Sequence, residues 1–415
     1  MEQNVILLHL LDKYESSSHL ARPGTSNRRV MLRVEKGELP EYQYETADVR
    51  DAYNAAAESL AREGVVTLSW IGGRPVISEF VLVLDRVDDA YRLAGRVHPK
   101  QRAAAFCTQV HASLDGVTTP WIKAWGQAAC DRAVESFHLP PFCQSGNGKF
   151  LTELLRVFVC YDALRGEAIS MRAFSTRCFQ DSKKFEREYR DEFLRLARQY
   201  DSDIREAFEQ PDVGAREELA LLGIYVRPEL YELCGDCKIE TDTGTLDLSA
   251  VPFGLAFPGT GVSRIRRFEL SKIKRVTFIE NKTSYDEYLQ TEKQPGELVV
   301  YHGGFLSPQK RLFIQKLAQS LDEKTEVYFW ADIDLGGFRM FDRLQRILPV
   351  VLPMRMGADD VRAYAPYGLS RSEAYLQTLR QALEAHTFPL FSSAIEEILR
   401  LRVTIEQEAF LLNIE

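Results

Sequence analysis

The chain of 415 residues contains 45% hydrophobic and 27% charged residues and carries a net charge of −8. This composition excludes an intrinsically disordered or collagen-like chain, and the length fits roughly two to four domains. No apolar run reaches the ~20 residues that a transmembrane helix needs, and the first residues show neither a basic leader nor a small-residue cleavage site. We therefore expect a cytoplasmic protein that makes no contact with a membrane.

The cysteines and the net charge limit the class of function further. Seven scattered cysteines argue against a secreted disulfide framework. The single CxxC pair, Cys234 and Cys237, lacks the additional ligands of a zinc site, and we interpret it as a turn between two strands. Net acidity argues against nonspecific coating of DNA, which depends on Lys and Arg. A local basic groove remains compatible with it.

Residues 1–139 predict a winged-helix-like module followed by polar helices. A helical period runs to about residue 18, the run VMLRV is strand-like, a helix begins at Thr46 and ends at Gly64, and VVTLSW and PVISEFVLVL predict a hairpin. Such modules bind DNA, dock proteins or dimerise. The candidate DNA contacts here are Arg22, Arg28, Arg29 and Arg33. The alternative is a solvated basic surface.

The middle region, 140–255, opens with the linker-like segment PPFCQSGNGKF and an apolar helix at 150–161. The stretch MRAFSTRCFQDSKKFERE then predicts a short helix, a turn at 180–182 and a long basic amphipathic helix, which together have helix-turn-helix character. The candidate phosphate contacts of this stretch are Arg172, Arg177, Lys183 and Lys184. The alternative is a set of surface charges that neighbouring acids balance.

The most basic stretch of the chain, SRIRRFELSKIKR, leads directly into the next predicted strand. A phosphodiester that approaches acidic side chains needs compensating positive charge. The candidate DNA contacts of this stretch are Arg264, Arg266, Arg267, Lys272 and Lys274.

Acidic side chains follow predicted strands in the C-terminal region. The run RVTFIE ends in Glu280, LVVYHGG predicts the next strand, and VYFWADIDLGG places Asp332 and Asp334 after a third. Helical segments separate these runs, and right-handed crossovers would bring the carboxyl ends of parallel strands to one edge of a sheet. Alternate residues of a strand share a face. The sequence therefore predicts that the three carboxylates converge.

Converging carboxylates repel one another unless a cation lies between them. Because carboxylates, waters and a substrate phosphate commonly hold Mg²⁺, we expect Glu280, Asp332 and Asp334 to bind Mg²⁺ or Mn²⁺. Lys282, just after Glu280, is a further candidate for contact with phosphate. His302, at the end of the middle strand, has no partner in sequence, and we interpret it as structural.

Two other families place Asp-x-Asp after an apolar strand. In phosphatases of the haloacid dehalogenase type the first aspartate is the nucleophile, but there the motif comes early and continues into Thr or Val. Here it is late, continues into Leu-Gly-Gly and follows the Glu280 strand. Sugar-nucleotide transferases also use Asp-x-Asp for a metal, but no accompanying nucleotide-binding pattern is present.

The motifs FIENKTSY, VVYHGG and YFWADIDLGG resemble the Toprim domain, in the version found in the JetD nuclease subunits of Wadjet anti-plasmid systems. Those subunits are related to the A subunit of topoisomerase VI. The resemblance extends to LLDKYESS, MRAFSTRCFQDSKKFERE and TIEQEAF. It implies a multidomain α/β and α+β architecture with an N-terminal winged-helix-like arm domain (1–139), a CAP-like winged-helix domain (140–255) and a C-terminal Toprim domain with a parallel sheet (256–415).

The resemblance also implies a metal-dependent endonuclease that cuts circular, double-stranded plasmid DNA together with an SMC-type complex. Glu280 would double as general acid or base, and Asp332 and Asp334 would be metal ligands. We expect a homodimer, because cutting both strands takes two active sites. In this reading the final helix spans 392–412, and it contains a Glu-Gln-Glu at 406–408 that resembles a family motif and whose role stays open.

Two alternatives remain for the function. The topoisomerase relatives carry a tyrosine nucleophile in the CAP-like domain, but Tyr161, Tyr189 and Tyr200 match no motif, so we favour water as the nucleophile over a tyrosyl transesterase. The other alternative is a catalytically silent DNA-binding or docking subunit that retains the acids. Keeping three acidic strand ends without a cation would be costly.

Overall fold

The computed structural model describes residues 1–22, 26–72, 75–144, 148–208 and 214–412, so part of the predicted linker, 145–147, lies outside it. The chain divides into two compact units, 1–163 and 164–415. The three domain boundaries predicted from the sequence stay predictions. None of the described helices is both long and apolar enough to cross a bilayer.

The first unit combines a small sheet with helices. Its helices are α1 (Glu2–Glu15), α2 (Ser18–Ala21), α3 (Ala47–Arg62), α4 (Val87–Leu93), α5 (Pro99–Leu114), α6 (Pro120–Ser136), α7 (Pro141–Gln144) and α8 (Gly148–Asp162). Its strands are β1 (Met31–Arg33), β2 (Val66–Trp70) and β3 (Ile77–Leu82). They form an antiparallel sheet in the order β1-β3-β2. The predicted order of helix, strand, helix and hairpin is therefore present, while the winged-helix assignment stays a prediction.

A buried carboxylate fixes the turn at 118–120. Asp162, at the end of α8, accepts hydrogen bonds from the backbone and the hydroxyl of both Thr118 and Thr119 at 2.7 to 2.9 Å. Burial alone would raise the pKa of Asp162, but these hydrogen bonds hold it below its usual value. Thr119 is also the residue before α6, so Asp162 positions the start of that helix.

The second unit contains most of the strands. Its helices are α9 (Met171–Phe179), α10 (Arg190–Tyr200), α11 (Ser202–Phe208), α12 (Ala215–Leu221), α13 (Lys282–Thr291), α14 (Pro308–Ala318), α15 (Leu335–Gln345), α16 (Ala358–Tyr364), α17 (Glu373–Glu384) and α18 (Ser392–Leu401). Its strands are β4 (Ile169–Ser170), β5 (Ile224–Tyr225), β6 (Leu230–Cys234), β7 (Lys238–Thr241), β8 (Thr245–Asp247), β9 (Leu255–Pro258), β10 (Ile265–Glu269), β11 (Arg275–Ile279), β12 (Glu297–Tyr301), β13 (Glu326–Trp330), β14 (Val351–Pro353), β15 (Leu369–Ser370) and β16 (Val403–Thr404).

A six-stranded sheet in the order β14-β13-β11-β12-β6-β9 forms the centre of this unit. β14, β13, β11 and β12 are parallel, and β6 and β9 extend the sheet antiparallel. Ile279 aligns with Tyr301 on one side and with Trp330 on the other, so three strands end level. The mixed α/β class and the parallel neighbours predicted from the sequence are thereby confirmed. The Toprim and CAP-like assignments stay predictions, and the sheet also recruits β6 and the first residue of β9 from before residue 256.

The CxxC pair lies in a strand connection, as predicted. Cys234 ends β6, and Cys237 directly precedes β7. Both thiols are free and buried, and burial raises the pKa of Cys237 to about 12. Such thiols behave as small apolar side chains.

The prediction of one final helix over 392–412 is wrong. The helix α18 ends at Leu401, where Arg402 adopts the left-handed conformation with φ of 62°. Val403 and Thr404 then form β16, and Ile405 pairs with Ile333 in an antiparallel bridge. Three consecutive β-branched residues favour extended backbone over helix. The segment that follows therefore turns back towards the central sheet.

Candidate functional site

The residues that follow β11, β12 and β13 meet at one edge of the central sheet. The backbone N–H of Glu280 donates to the carbonyl of Trp330 at 3.0 Å, and that of His302 donates to the carbonyl of Ile279 at 2.7 Å. These bonds continue the parallel pairing one residue beyond the strands. Glu280 therefore lies between the ends of both neighbouring strands.

Asp334 holds the first turn of α15. Its Oδ1 accepts a hydrogen bond from the backbone N–H of Gly337 at 2.9 Å, and its Oδ2 lies 3.6 Å from the guanidinium of Arg371. A side chain at Gly337 would overlap the carbonyl oxygen of Asp332, which explains the glycine that follows the acidic motif. Asp332 and Asp334 thus lie on one short segment but have different partners.

The segment 405–408 joins the strand ends. The backbone N–H of Gln407 donates to Asp332 Oδ1 at 2.6 Å, its side-chain amide donates to the carbonyl of Trp330 at 3.1 Å, and its Oε1 accepts from the backbone of Asn281 at 2.8 Å. The Asn281 amide donates in turn to Glu408 at 2.7 Å. The sequence analysis placed this segment in the final helix and left its role open. Its resemblance to a family motif was the one available signal.

Burial and neighbouring acids raise the pKa of two carboxyl groups at this edge, Glu280 and Asp332. Burial, then repulsion from Asp334 and Glu408, raises the pKa of Glu280 to about 7, and Lys310 acts in the opposite direction. Burial and repulsion from Glu280, Asp334 and Glu408 raise the pKa of Asp332 to about 8, against the hydrogen bond from the backbone of Gln407. No hydrogen bond to the Glu280 carboxylate comes from the described part of the chain.

The chemistry of these donors suits a hard divalent cation. Partly buried carboxylates that repel each other match the oxygen ligands of Mg²⁺, which needs one or two of them besides water. Among the described residues, however, no three Asp, Glu, His or Cys side chains lie close enough together to hold an ion as they stand. Glu280 and Asp332 fit such an ion, while Asp334 is occupied by Gly337 and Arg371. The ligand role of all three stays a prediction.

His302 is a buried neutral histidine. Burial, followed by the charge of Lys310, lowers its pKa to about 3. Its Nδ1 pairs with the carbonyl of Gly303 at 2.6 Å, and its ring packs on Phe329 with 5.1 Å between centroids. These contacts agree with the structural interpretation.

The predicted DNA-contact residues are exposed or partly exposed, and several already have acidic partners. Arg264 pairs with Asp242, Arg267 with Glu240, Arg172 with Glu186 and Lys282 with Glu232 and Asp286. Lys184 lies 5.0 Å from the centroid of the Phe179 ring. Arg177, Lys183 and Arg266 are exposed. Their contacts with DNA stay predictions.

Lys272 and Lys274 directly precede β11, whereas Glu280 follows it. Five residues of strand span roughly 13–16 Å. The two lysines thus lie near the amino edge of the sheet, and the acids lie at the carboxyl edge.

Other cations line a cleft of about 440 Å³ beside Glu280. They are Arg216, Arg227, Lys310 and Arg343. Lys310 lies in the first turn of α14, after the glycine-rich loop that follows β12. Sequence reasoning missed all four, because they come from α12, the β5–β6 connection, α14 and α15, and only the fold brings them together.

Comparison with known proteins supports the resemblance read from the sequence. Residues 240–414 match the family model described as "Wadjet protein JetD, C-terminal". The chain is also 25% identical to the Wadjet protein JetD of Bacillus cereus (strain Q1), over 99% of this chain and 98% of that protein. The resemblance to JetD is therefore confirmed, and it extends over nearly the full length of both chains.

Proposed function

Because residues 240–414 belong to the JetD C-terminal family and the whole chain is similar to a Wadjet protein JetD, we propose that this protein is a metal-dependent DNA endonuclease. It would cleave plasmid DNA within a Wadjet-type SMC defence system against plasmid transformation. The observation that carries the proposal is the pair Glu280 and Asp332, whose carboxylates share the level carboxyl edge of β11 and β13. Open α/β sheets bind ligands at this edge.

Mg²⁺ or Mn²⁺ held by Glu280 and Asp332, with Asp334 as a further ligand, would lower the pKa of a bound water and polarise the scissile phosphate. With a pKa near neutrality, Glu280 is suited to accept the proton of an attacking water. Gln407 holds one oxygen of Asp332 and leaves the other for a ligand. Lys310 supplies the nearby positive charge that a phosphodiester requires.

The partners follow from the same relationship. Double-stranded, circular plasmid DNA would be the substrate, and SMC-type subunits would deliver it. A homodimer would supply the two active sites that a double-strand cut needs. These partners are part of the proposal, and a plasmid cleavage assay that includes the SMC-type subunits tests them.

The test is a plasmid cleavage assay with supercoiled and linear DNA in Mg²⁺ or Mn²⁺, with the protein alone and with the SMC-type subunits. We expect nicking or linearisation that EDTA abolishes and that Glu280→Gln and Asp334→Asn each reduce. Asn at position 334 can still cap α15, so loss of activity there would report on the lost charge. Glu287→Gln is the matched control, because Glu287 is an exposed acid of α13 outside the cleft. Equal cleavage by all variants would overturn the proposal.

A catalytically silent docking subunit is the second candidate, because no three ligand side chains are gathered in the described residues. It predicts DNA binding without cleavage under every condition, for wild type and variants alike. The same reactions, denatured and run without protease, would reveal a covalent protein–DNA adduct if a tyrosine were the nucleophile. An adduct would replace hydrolysis by tyrosyl transesterification.

A further inference from the structure

The cleft beside Glu280 is lined by two chemically different sets of side chains. Arg216, Arg227 and Lys310 are cationic, and Phe305 and Met340 are apolar. All of these residues belong to the second unit. The acidic strand end and the cleft are continuous, since Glu280 itself is part of the lining.

Lys310 is a largely buried cation at this cleft. Its side chain is 12% exposed, and its ammonium donates to the carbonyl of Phe305 at 3.1 Å. Glu229 Oε1 lies 4.0 Å from this ammonium, and the other oxygen of that carboxylate, Oε2, accepts hydrogen bonds from Tyr231 and Ser307. An ammonium has three donors, so Lys310 can still bind an anion that enters the cleft.

Two of the four basic side chains of the lining have no acidic partner among the described residues. Glu206 pairs with Arg343 at 2.5 Å and with Arg339 at 3.0 Å, and Glu217 accepts from the backbone of Gly214 at 3.1 Å. Arg216 and Arg227 are exposed, and within the described ranges they form no ion pair. These two arginines can therefore pair with a phosphate that enters the cleft beside Glu280.

The lining also contains an aromatic ring. The guanidinium of Arg343 lies over the Phe305 ring, 5.2 Å from its centroid, so a base would stack on the opposite face of that ring. Met340 lies one turn before Arg343 on α15. Proteins that bind single strands combine a positive groove with an aromatic side chain on which a base stacks. A cavity of about 440 Å³ is near the lower end of the range of roughly 300–1,000 Å³ for ligand pockets. It fits one nucleotide unit and not a base-paired duplex.

We propose that this cleft binds one unpaired nucleotide next to the scissile phosphate, with the backbone phosphate on Lys310 and Arg227 and the base on Phe305. The inference rests on the proposed nuclease function and adds that the strand is locally unpaired at the site, because a base within a duplex cannot reach a side chain inside a cleft.

The experiment measures binding of thymidine 3′,5′-bisphosphate and of its abasic counterpart by calorimetry, in Ca²⁺ and in EDTA, over a range of salt. We expect Lys310→Met and Arg227→Gln each to weaken binding of both compounds roughly tenfold or more. Each should also weaken the dependence of Kd on salt concentration, because one ionic contact with phosphate is lost. Phe305→Leu should weaken binding of the thymidine compound and leave the abasic one unchanged.

Arg311→Gln is the matched control, because Arg311 neighbours Lys310 on α14, is exposed and does not line this cleft. It should bind both compounds like wild type. Binding by Arg227→Gln with wild-type affinity and salt slope would overturn the phosphate site, and this variant changes only an exposed side chain. Equal binding of the thymidine and abasic compounds to wild type would overturn the base site.

Binding and cleavage can fail separately. If the plasmid is cut but neither compound binds, the cleft inference is wrong and the nuclease stands. If the compounds bind as expected but no metal supports cleavage, the nuclease proposal is wrong, and the nucleotide cleft stands as a DNA-binding site.

Discussion

The central sheet has one glutamate at its amino end and another at its carboxyl end, and the surroundings of the two carboxylates differ. Glu297, at the amino end of β12, is 1% exposed and accepts hydrogen bonds from the Thr277 hydroxyl at 2.5 Å, the Tyr288 hydroxyl at 2.9 Å and the backbone of Gln294 at 2.9 Å. Glu280, at the carboxyl end of β11, receives no such donor from the described residues, and other acids surround it. The carboxylate of Glu297 is therefore fully hydrogen-bonded, whereas the carboxylate of Glu280 is repelled by its acidic neighbours.

The difference separates stability from function within one sheet. A buried carboxylate with three donors contributes to folding, whereas one that faces like charges reduces stability until a cation or proton neutralises it. Perturbed pKa values of this kind concentrate at functional sites. Substitutions at each end of the sheet test whether Glu297 serves stability and Glu280 serves function.

The largest expected effect is on activity, at the carboxyl end. Glu280→Gln removes the residue proposed as base and metal ligand, so plasmid cleavage should fall by a factor of about 100 or more. The free energy of unfolding in EDTA at pH 8 should not fall, because the substitution also removes repulsion with Asp332 and Asp334. Cleavage rates and urea titrations of the same preparations measure both. A Glu280→Gln protein that is less stable than wild type but still cleaves plasmid would show that Glu280 serves stability and not function.

The next largest effect is on stability, at the amino end. Glu297→Ala leaves the hydroxyls of Thr277 and Tyr288 buried without their acceptor, which should cost about 2 to 5 kcal/mol of unfolding free energy. Glu297→Gln keeps an acceptor and should cost less. Urea unfolding followed by fluorescence measures both variants. A Glu297→Ala protein as stable as wild type would show that this carboxylate does not anchor the sheet.

The pH dependence of stability should distinguish the ends more finely. Asp332 has a folded pKa of about 8 against an ordinary value of 3.8, so it reduces stability progressively as pH rises between these values. In EDTA, Asp332→Asn should therefore gain stability over wild type from about pH 4 to pH 8. Adding Mg²⁺ should shrink this gain, because the cation stabilises wild type. A difference in unfolding free energy between Asp332→Asn and wild type that does not change with pH would contradict the raised pKa of Asp332.

The smallest effect should come from an ion pair at the amino edge. Arg275 lies 3.1 Å from Glu326 across β11 and β13, but both side chains are substantially exposed. Arg275→Gln should change the unfolding free energy by less than about 1 kcal/mol and leave cleavage unchanged. A larger loss in the same urea titration would show that surface charge also holds this end together.

The parallel sheet and its acidic edge could be predicted because the signal is local. Apolar runs that end in Glu280 or Asp332, separated by helical segments, determine both strand identity and the direction in which each strand ends. The basic stretch before β11 is close to Glu280 in sequence, yet a strand separates its lysines from that acid. Proximity along the chain therefore does not place Lys272 and Lys274 beside Glu280, and their contact with DNA stays a prediction.

The remaining parts of the site depend on contacts that no local pattern encodes. The helical spacing of hydrophobic residues in α18 continues past Leu401, so hydrophobicity alone predicts a helix that is too long. The β-branched residues after Arg402 are the feature that indicates its end. Lys310 reaches the cleft from the start of α14, and Arg227 does so from the β5–β6 connection. Their convergence requires the assembled fold.

The hydrogen bonds of Gln407 connect parts of the chain that are far apart in sequence. Its contact with Asn281 spans 126 residues, and its contact with Asp332 spans 75. Contacts over such separations carry a high loop-closure cost and form late in folding. We therefore expect the sheet to assemble before its acidic edge is complete, so that a partly folded chain lacks the ordered carboxylates. If the protein is the nuclease proposed above, it would become able to cut only in its native state, and a partly folded chain would leave DNA intact.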